Sequence, residues 1–275
     1  MKNLRMIEKN ENTAELVGLS FGDGSLTYRT GNRRLRFQLR GSLKEDKEHY
    51  DSYVIPLFDK EIMNPIFNGK KVGIVFNKNA GFYGISKESK KLKLLNDSLG
   101  IPIGVKKDLF IPGWIKDDKK YTNRFLRGFF DTDGSISCQR NYSIKNNRFH
   151  TQVRISLSCC SNSLIKEIQD LLTLSGFKCL LKKYVWREKK WSIVYSLVLS
   201  GGIQVDRWFK FIGSKNPKHL TKYKIWKEFG FCPPFTTLIE RKQILKKEIS
   251  PYFWYKRECR SGQTGMSFHN KKLPS

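Results

Sequence analysis

The sequence predicts an α+β fold, a tandem repeat in which one αββαββα plan is built twice within 275 residues. Three observations predict it. Gly18, Asp23, Gly24 and Ser25 fall on Gly128, Asp133, Gly134 and Ser135 when the chain is shifted by 110 residues. Each motif ends an apolar helical stretch and is followed by the same order of segments: two strands, a helix, two strands and a helix. The halves also close alike, with "SLGIPIG" at 98–104 and "FIGSKNP" at 211–217.

The elements follow in order. Residues 1–11 read as a leader, 12–101 as the first half and 102–121 as a linker centred on "IPGWIKDDKK". The second half is 122–230, and 231–275 is a basic extension. In the first half, 25–30 and 33–40 are strand-like. Leu35, Phe37 and Leu39 point one way while Arg34, Arg36, Gln38 and Arg40 point the other. Ser42 and Glu45 have capping-box spacing, and Tyr50, Tyr53, Val54, Leu57 and Phe58 follow at helical spacing. Strands are expected at 71–77 and 81–86. Leu92, Leu95 and Leu99 then mark a short helix closed by Gly100 and Pro102.

The second half repeats this plan. Val153, Ile155 and Leu157 alternate with Gln152, Arg154, Ser156 and Ser158. Leu164, Ile165, Ile168, Leu171 and Leu172 are helix-spaced, 177–186 and 192–199 are strand-like, and Val205, Trp208, Phe209 and Ile212 are helical up to Gly213. In the extension, 236–249 has the pattern of one more helix. Nine Lys and Arg there face three Glu. A solvated tail and a DNA-contacting arm both fit that composition.

Charge narrows the function. Fifty-two Lys and Arg against 25 Asp and Glu give a formal net charge of +27, which favours a polyanionic partner, nucleic acid before an acidic membrane. A highly basic ribosome-associated protein has the same balance. No apolar run approaches the length of a membrane helix, and the N-terminus lacks the apolar core of a secretory signal, so no membrane role is expected. The six cysteines form no Cys-x-x-Cys pair and the four histidines add no ligand spacing, so no zinc site is expected. The adjacent Cys159 and Cys160 read as packed, reduced thiols, and an intracellular setting is expected, in a prokaryotic cytoplasm or an organelle matrix.

The repeated motif carries chemistry. A helix end that presents a carboxylate beside free backbone carbonyls is a hard-oxygen site suited to Mg²⁺. Gly18 and Gly22 lie four apart, as do Gly128 and Thr132, and small residues at that spacing let two helices approach closely. Helices packed in that way bring Asp23 and Asp133 side by side, an arrangement suited to two-metal phosphodiester hydrolysis. The bare pattern arises by chance in about one chain in fifteen of this length at average composition. It signifies because it occurs twice, in register with the larger repeat. The polar strand faces complement it. Arg and Gln match base edges in the major groove. Arg34, Arg36, Gln38 and Arg40, with Arg29 before them, and Gln152, Arg154, Ser156 and Ser158, with Gln139 before them, are the DNA-contacting candidates. Phosphate and base contacts are not distinguished at this level.

"LVGLSFGDG" (16–24) and "LRGFFDTDG" (126–134) resemble the two motifs of the single-chain LAGLIDADG homing endonucleases, a resemblance that spans about residues 12–230. It implies a pseudo-twofold monomer whose two four-stranded antiparallel sheets form a saddle over double-stranded DNA. It also implies Mg²⁺-dependent cleavage of both strands of a long asymmetric site across the minor groove, leaving short 3′ overhangs, with Mn²⁺ or Ca²⁺ able to substitute for binding. By the same resemblance Asp23 and Asp133 are the metal-ligating acids, the carbonyls of Gly22 and Thr132 complete their sites, and Asp131 is structural. The family places a polar residue after the second strand and a lysine near the fourth. Gly41 or Ser42 and Ser158 or Cys159 take the first place; Lys87 is the first half's lysine and Ser200 stands in the matching region of the second. An intron RNA maturase on the same fold is the alternative, and a non-catalytic DNA-binding regulator a further one. Retention of both acids favours the nuclease. An intein is not expected, because no splicing-domain sequence flanks the repeat.

Overall fold

The computed structural model describes residues 7–29, 34–145, 148–185 and 193–256. Helix α1 (Glu11–Phe21) starts at a capping box in which the Asn10 side chain accepts from the amides of Asn12 and Thr13, both at 2.9 Å, while Thr13 Oγ1 accepts from the Asn10 amide. Every residue of it from Thr13 to Phe21 is buried. It is a core helix with no solvent face. After it come strand β1 (Gly24–Tyr28) and strand β2 (Leu35–Ser42), then helix α2 (residues 47–67), strand β3 (Gly73–Asn77), strand β4 (Phe82–Ser89) and helix α3 (Lys93–Leu99). Gly100, at φ +80°, closes α3.

The plan then repeats. Helix α4 (Lys119–Asp133) carries the second motif and is followed by strand β5 (Gly134–Gln139), strand β6 (Gln152–Cys159), helix α5 (Asn162–Leu174), strand β7 (Leu180–Tyr184), strand β8 (Val194–Ser200) and helix α6 (Gly202–Phe211). The two sheets are antiparallel and run in the same order, β1-β2-β4-β3 and β5-β6-β8-β7. The alternation is as read: Leu35, Phe37 and Leu39 are buried, as are Val153, Ile155 and Leu157. One continuous apolar core joins both halves.

Several expectations change. The Ser42–Glu45 capping box does not start a helix. Ser42 ends β2, a turn covers 43–46, and α2 begins at Lys47 with no side-chain cap. The Glu45 carboxylate is instead drawn to the far C-terminus, as described below. Helix α2 contains two π-helical turns, Tyr50–Val54 and Asp59–Met63, each just ahead of a proline-bearing segment, Ile55-Pro56 and Asn64-Pro65. Widened turns are one way for a helix to absorb a residue that lacks its N–H. Cys159 is half-buried, but Cys160 is exposed rather than packed.

After the repeated elements, still within 122–230, comes helix α7 (Pro217–Phe229), which the repeat does not predict. Its signals are present: Asn216 caps it by accepting from the Lys218 amide, Pro217 is its first residue, and Gly230 at φ +74° ends it. Helix α8 (Leu238–Leu245) occupies part of the expected 236–249, starting at a capping box between Thr237 and Glu240. It is docked, since Arg241 is 1% exposed. Over these residues the extension is neither a solvated tail nor a free arm. Among the described residues no helix is long and apolar enough to cross a membrane.

Candidate functional site

Two glycines allow the central contact. A Cβ on Gly18 would lie 2.1 Å from the Phe125 carbonyl oxygen, and one on Gly128 would lie 2.2 Å from that of Glu15. Helices α1 and α4 therefore touch backbone to backbone. At the same end a Cβ on Gly22 would meet Thr132 Oγ1 at 2.0 Å and the Asp133 amide at 3.3 Å. The motif ends lie side by side, and each aspartate leads straight into the first strand of its sheet. Phe21 and Phe125 pack edge to face across the contact, with ring centroids 5.5 Å apart.

Asp23 and Asp133 are both half-buried. Burial pushes the Asp23 carboxyl up to about 7, and the negative charges of Asp133 and Asp46 push the same way against Lys218 and Lys106. Burial lifts Asp133 to about 6, opposed by Lys106 and Lys218. Two partly desolvated acids that repel each other form a site whose ionised state calls for added positive charge.

Lys106 supplies part of it. Its Nζ donates to the carbonyls of Ser20 at 2.7 Å, Phe21 at 3.1 Å and Gly22 at 2.7 Å. The carbonyl end of α1 is thus capped by an ammonium group rather than left free, and the Gly22 carbonyl expected as a metal ligand is already bonded to it. Burial lowers Lys106 to about 8, although Asp133 and Asp23 favour its charged form. Thr132 donates its hydroxyl to the Gly128 and Phe129 carbonyls at 3.1 and 3.0 Å.

Lys218 serves the other side. Its Nζ lies 2.9 Å from Asp46 Oδ1, which also accepts from Asn216 Nδ2 at 2.8 Å, while Asp46 Oδ2 accepts from the Ser42 amide at 2.9 Å. These partners hold the Asp46 carboxyl below its usual range, although burial alone would raise it. Asp131 has the structural role expected of it. It is buried and accepts from the Ser214 hydroxyl and, at 2.8 Å, from the Lys215 amide, although burial raises it to about 7.

Lys87 is a correction. The register sets it opposite Phe37, on the core-facing side of the first sheet, and its Nζ lies 4.6 Å from the centroid of the Phe67 ring. It is not brought to the acid pair. The lysines that face the pair are Lys106, from the linker, and Lys218, from the first turn of α7. Neither lies near a fourth strand in sequence, so spacing along the repeat does not find them. Of the polar positions after the second strand, Gly41 packs on Asp46 and Tyr50, and Ser42 binds the Asp46 carboxylate with its amide. Ser158 donates to Ser196 Oγ at 2.8 Å, and Cys159 Sγ lies 3.3 Å from the Ser161 carbonyl. Ser200 ends β8 opposite Arg154.

The polar sheet faces hold the remaining candidates. Arg36, Gln38 and Arg40 share one face of β2, with Ser25 and Thr27 of β1 in register with Gln38 and Arg36. Arg36 Nε donates to Glu88 Oε1 at 2.7 Å and Arg29 Nη1 to Glu88 Oε2 at 2.9 Å. Part of the positive charge expected here is therefore tied down by Glu88. Arg40 is exposed, donates to Gln38 Oε1 at 2.6 Å and lies over the Phe82 ring. Arg34 is exposed just before β2. On the second sheet, Gln139 pairs with Gln152, and Ser137 with Arg154; Ser156 and Ser158 complete the face. Gln139 and Gln152 are exposed. This face carries less charge than the first. Among the described residues, no group of three or more His, Cys, Asp or Glu is placed to hold a metal ion. A cation here would rely on the two aspartates, backbone carbonyl and water.

Residues 120–213 match the family model described as a LAGLIDADG-like domain. Among curated proteins, the chain is 31% identical over 177 residues to the DNA-directed RNA polymerase subunit Rpo1N of Methanocaldococcus jannaschii, covering 60% of this chain and 13% of that one. It is 31% identical over 192 residues to the tRNA-splicing ligase RtcB of the same organism, covering 66% and 19%. The chain thus spans less than a fifth of the length of either relative. Among solved structures, variants of the homing endonuclease I-DmoI align with a TM-score of 0.50 at 18% identity, over 74% of this chain and 95% of that one. I-DmoI in complex with DNA and Mn aligns with a TM-score of 0.50 at 17% identity, over 74% and 96%. At such identity the likeness is one of fold.

Proposed function

Since this chain is a two-motif protein of the LAGLIDADG fold, we propose that it is a site-specific DNA endonuclease that cuts both strands of a long asymmetric duplex by metal-assisted phosphodiester hydrolysis, leaving short 3′ overhangs. The observation that carries the reading is the acid pair: Asp23 and Asp133, one from each half, side by side at the end of the glycine-packed helices and between two polar-faced sheets. A regulator that only bound DNA would have no use for two partly desolvated, mutually repelling carboxylates. Intron RNA binding alone would not need them either.

The residues fit a divalent cation. Asp23, Asp133 and the Thr132 carbonyl would hold Mg²⁺ or Mn²⁺, which supplies charge neutralisation and an activated water for attack on phosphorus. Lys106 and Lys218 flank the pair and offset its charge and that of the phosphate. Arg29, Arg34, Arg36, Gln38 and Arg40 on one sheet, and Gln139, Gln152, Arg154, Ser156 and Ser158 on the other, hold the duplex. Because the two faces differ, a single chain reads an asymmetric site. Similarity to a small part of two differently named proteins supports a coding sequence of the kind carried inside other genes.

The test is a selection. Duplexes bound from a randomised library in Ca²⁺ are recovered, exposed to Mg²⁺ and sequenced at their ends. Asp23→Asn and Asp133→Asn should bind the same duplexes and fail to make a double-strand break. Normal cutting by either variant would remove the acid pair from the mechanism.

A further inference from the structure

Arg241, in the extension beyond the repeat, is more buried than an arginine in a solvated tail would be, at 1% exposure. Its guanidinium joins three segments. Nε donates to Thr221 Oγ1 at 3.0 Å, Nη1 to the Thr236 carbonyl, and Nη2 to Glu45 Oε2 at 2.5 Å. The other Glu45 oxygen accepts from the Leu238 amide, in the first turn of α8, at 2.9 Å. Lys242 adds an ion pair to Glu48. Helix α8 is therefore fastened to the first half by the carboxylate that had looked like half of a capping box.

Two of these contacts adjoin, along the chain, residues that act on Asp23. Glu45 immediately precedes Asp46. Thr221 lies three residues, one helical turn, after Lys218 on α7, so both are on the same side of that helix. Arg241 thus grips the turn that carries Asp46 and the helix that carries Lys218, the two partners of the 2.9 Å ion pair next to Asp23. Lys106 rests instead on the α1 carbonyls.

Lys218 acts on both acids, ahead of Lys106 at Asp23 and behind it at Asp133. We propose that Arg241, acting through Glu45, is a positioning residue chiefly for the Asp23 side of the site: α8 sets where the Lys218 ammonium sits, and the Asp133 side depends on it less. This rests on the endonuclease reading and adds to it a division of labour between the two strand cuts.

The experiment compares Arg241→Met and Glu45→Gln with wild type on a duplex selected by the wild-type protein, with each strand labelled separately and Mg²⁺ added to start the reaction. Folding is checked by circular dichroism. One strand should be nicked about tenfold to a hundredfold more slowly, as expected for a reacting group displaced by about 1 Å, and it should be the strand slowed by Lys218→Met. The other strand should be slowed markedly less. A second readout needs neither DNA nor metal. The Ser42 amide, bonded to Asp46, should exchange hydrogen at least tenfold faster in both variants, while the Ile155 amide in the second sheet does not change. Equal slowing of both strands, no slowing, or unchanged Ser42 exchange would overturn the proposal. So would unfolding of Glu45→Gln, which would make the clamp a folding element. If Arg241→Met alone fails to fold, Glu45→Gln decides. A wild-type protein that cuts neither strand of any selected duplex would refute the endonuclease reading, and this inference with it. Wild-type cutting without strand bias in the variants refutes the inference alone.

Discussion

Replacing Gly18 with alanine should separate the two central helices by a calculable amount. The added Cβ would lie 2.1 Å from the Phe125 carbonyl oxygen and 2.9 Å from the Phe129 amide nitrogen, whereas ordinary contact begins at 3.4 Å. Both obstacles are backbone, so no side chain can turn aside and the helices must part by at least about 1 Å. Overpacking of this kind costs about 1–3 kcal/mol, and a rigid backbone obstacle puts Gly18→Ala near the upper end. Alanine returns about 1 kcal/mol through its better helix propensity. The net loss is then about 2 kcal/mol. At about 2–4 °C per kcal/mol for a chain of this size, the melting temperature should fall by roughly 4–8 °C. The assay is thermal unfolding followed by circular dichroism. Gly113→Ala, where an added Cβ meets nothing within 4 Å, is the control and should be neutral or slightly stabilising. Parting the helices also moves Asp23 from Asp133, so cleavage should slow by about a hundredfold. A Gly18→Ala protein that melts at or above the wild-type temperature would refute the close-approach argument.

Three further outcomes are expected. Burial raises the Asp23 carboxyl to about 7 in the folded chain against an ordinary value of 3.8, so the folded state binds more protons than the unfolded state across that window and stability falls there as pH rises. Asp23→Asn should therefore gain stability relative to wild type between about pH 4 and 7 and hold that gain above it; urea titrations at several pH values check this, and a constant difference would contradict it. Glu88→Gln should release Arg29 and Arg36, tightening non-specific DNA binding and steepening its dependence on salt, as measured by fluorescence anisotropy from low to moderate salt; an unchanged slope would mean that these arginines do not reach phosphate. Lys106→Met should keep DNA binding while uncapping the α1 carbonyls and slowing cleavage, and an undiminished rate would leave Lys106 a purely structural cap.

Much of the fold was legible because it is local and periodic. Period-two alternation in β2 and β6 and helix spacing in α2 and α5 each announce an element and its buried face. The glycines of the motifs marked the helix contact. The lysines could not be found in that way. Lys87 sits in a strand, where register rather than spacing decides which face a side chain takes, and register put it with Phe37 over Phe67. Lys106 lies in a linker with no periodicity at all. Lys218 lies in the first turn of a helix that the repeat does not predict, although Asn216, Pro217 and Gly230 mark its ends. Ser42 and Glu45 show the opposite failure. A correct local pattern was overridden by Arg241, 196 residues away in the chain.

The segments that follow each half cross onto the other. The linker after the first half reaches the second, where the Leu109 amide donates to Ser161 Oγ at 3.0 Å and the Ile111 amide to Glu167 Oε2 at 2.6 Å. The end of the second half, beyond its repeated elements, reaches the first, through Asn216 and Lys218 on Asp46. The two halves are mutually strapped, so the seam visible in the sequence is not the seam in the molecule. A chimaera cut between 101 and 102 would leave the second half with its own linker but pair the first half with a strap from the other parent. A recombinant that exchanges one half and keeps the acid pair aligned must also exchange the strap that lies upon it, and that strap is encoded after the repeated elements of the other half.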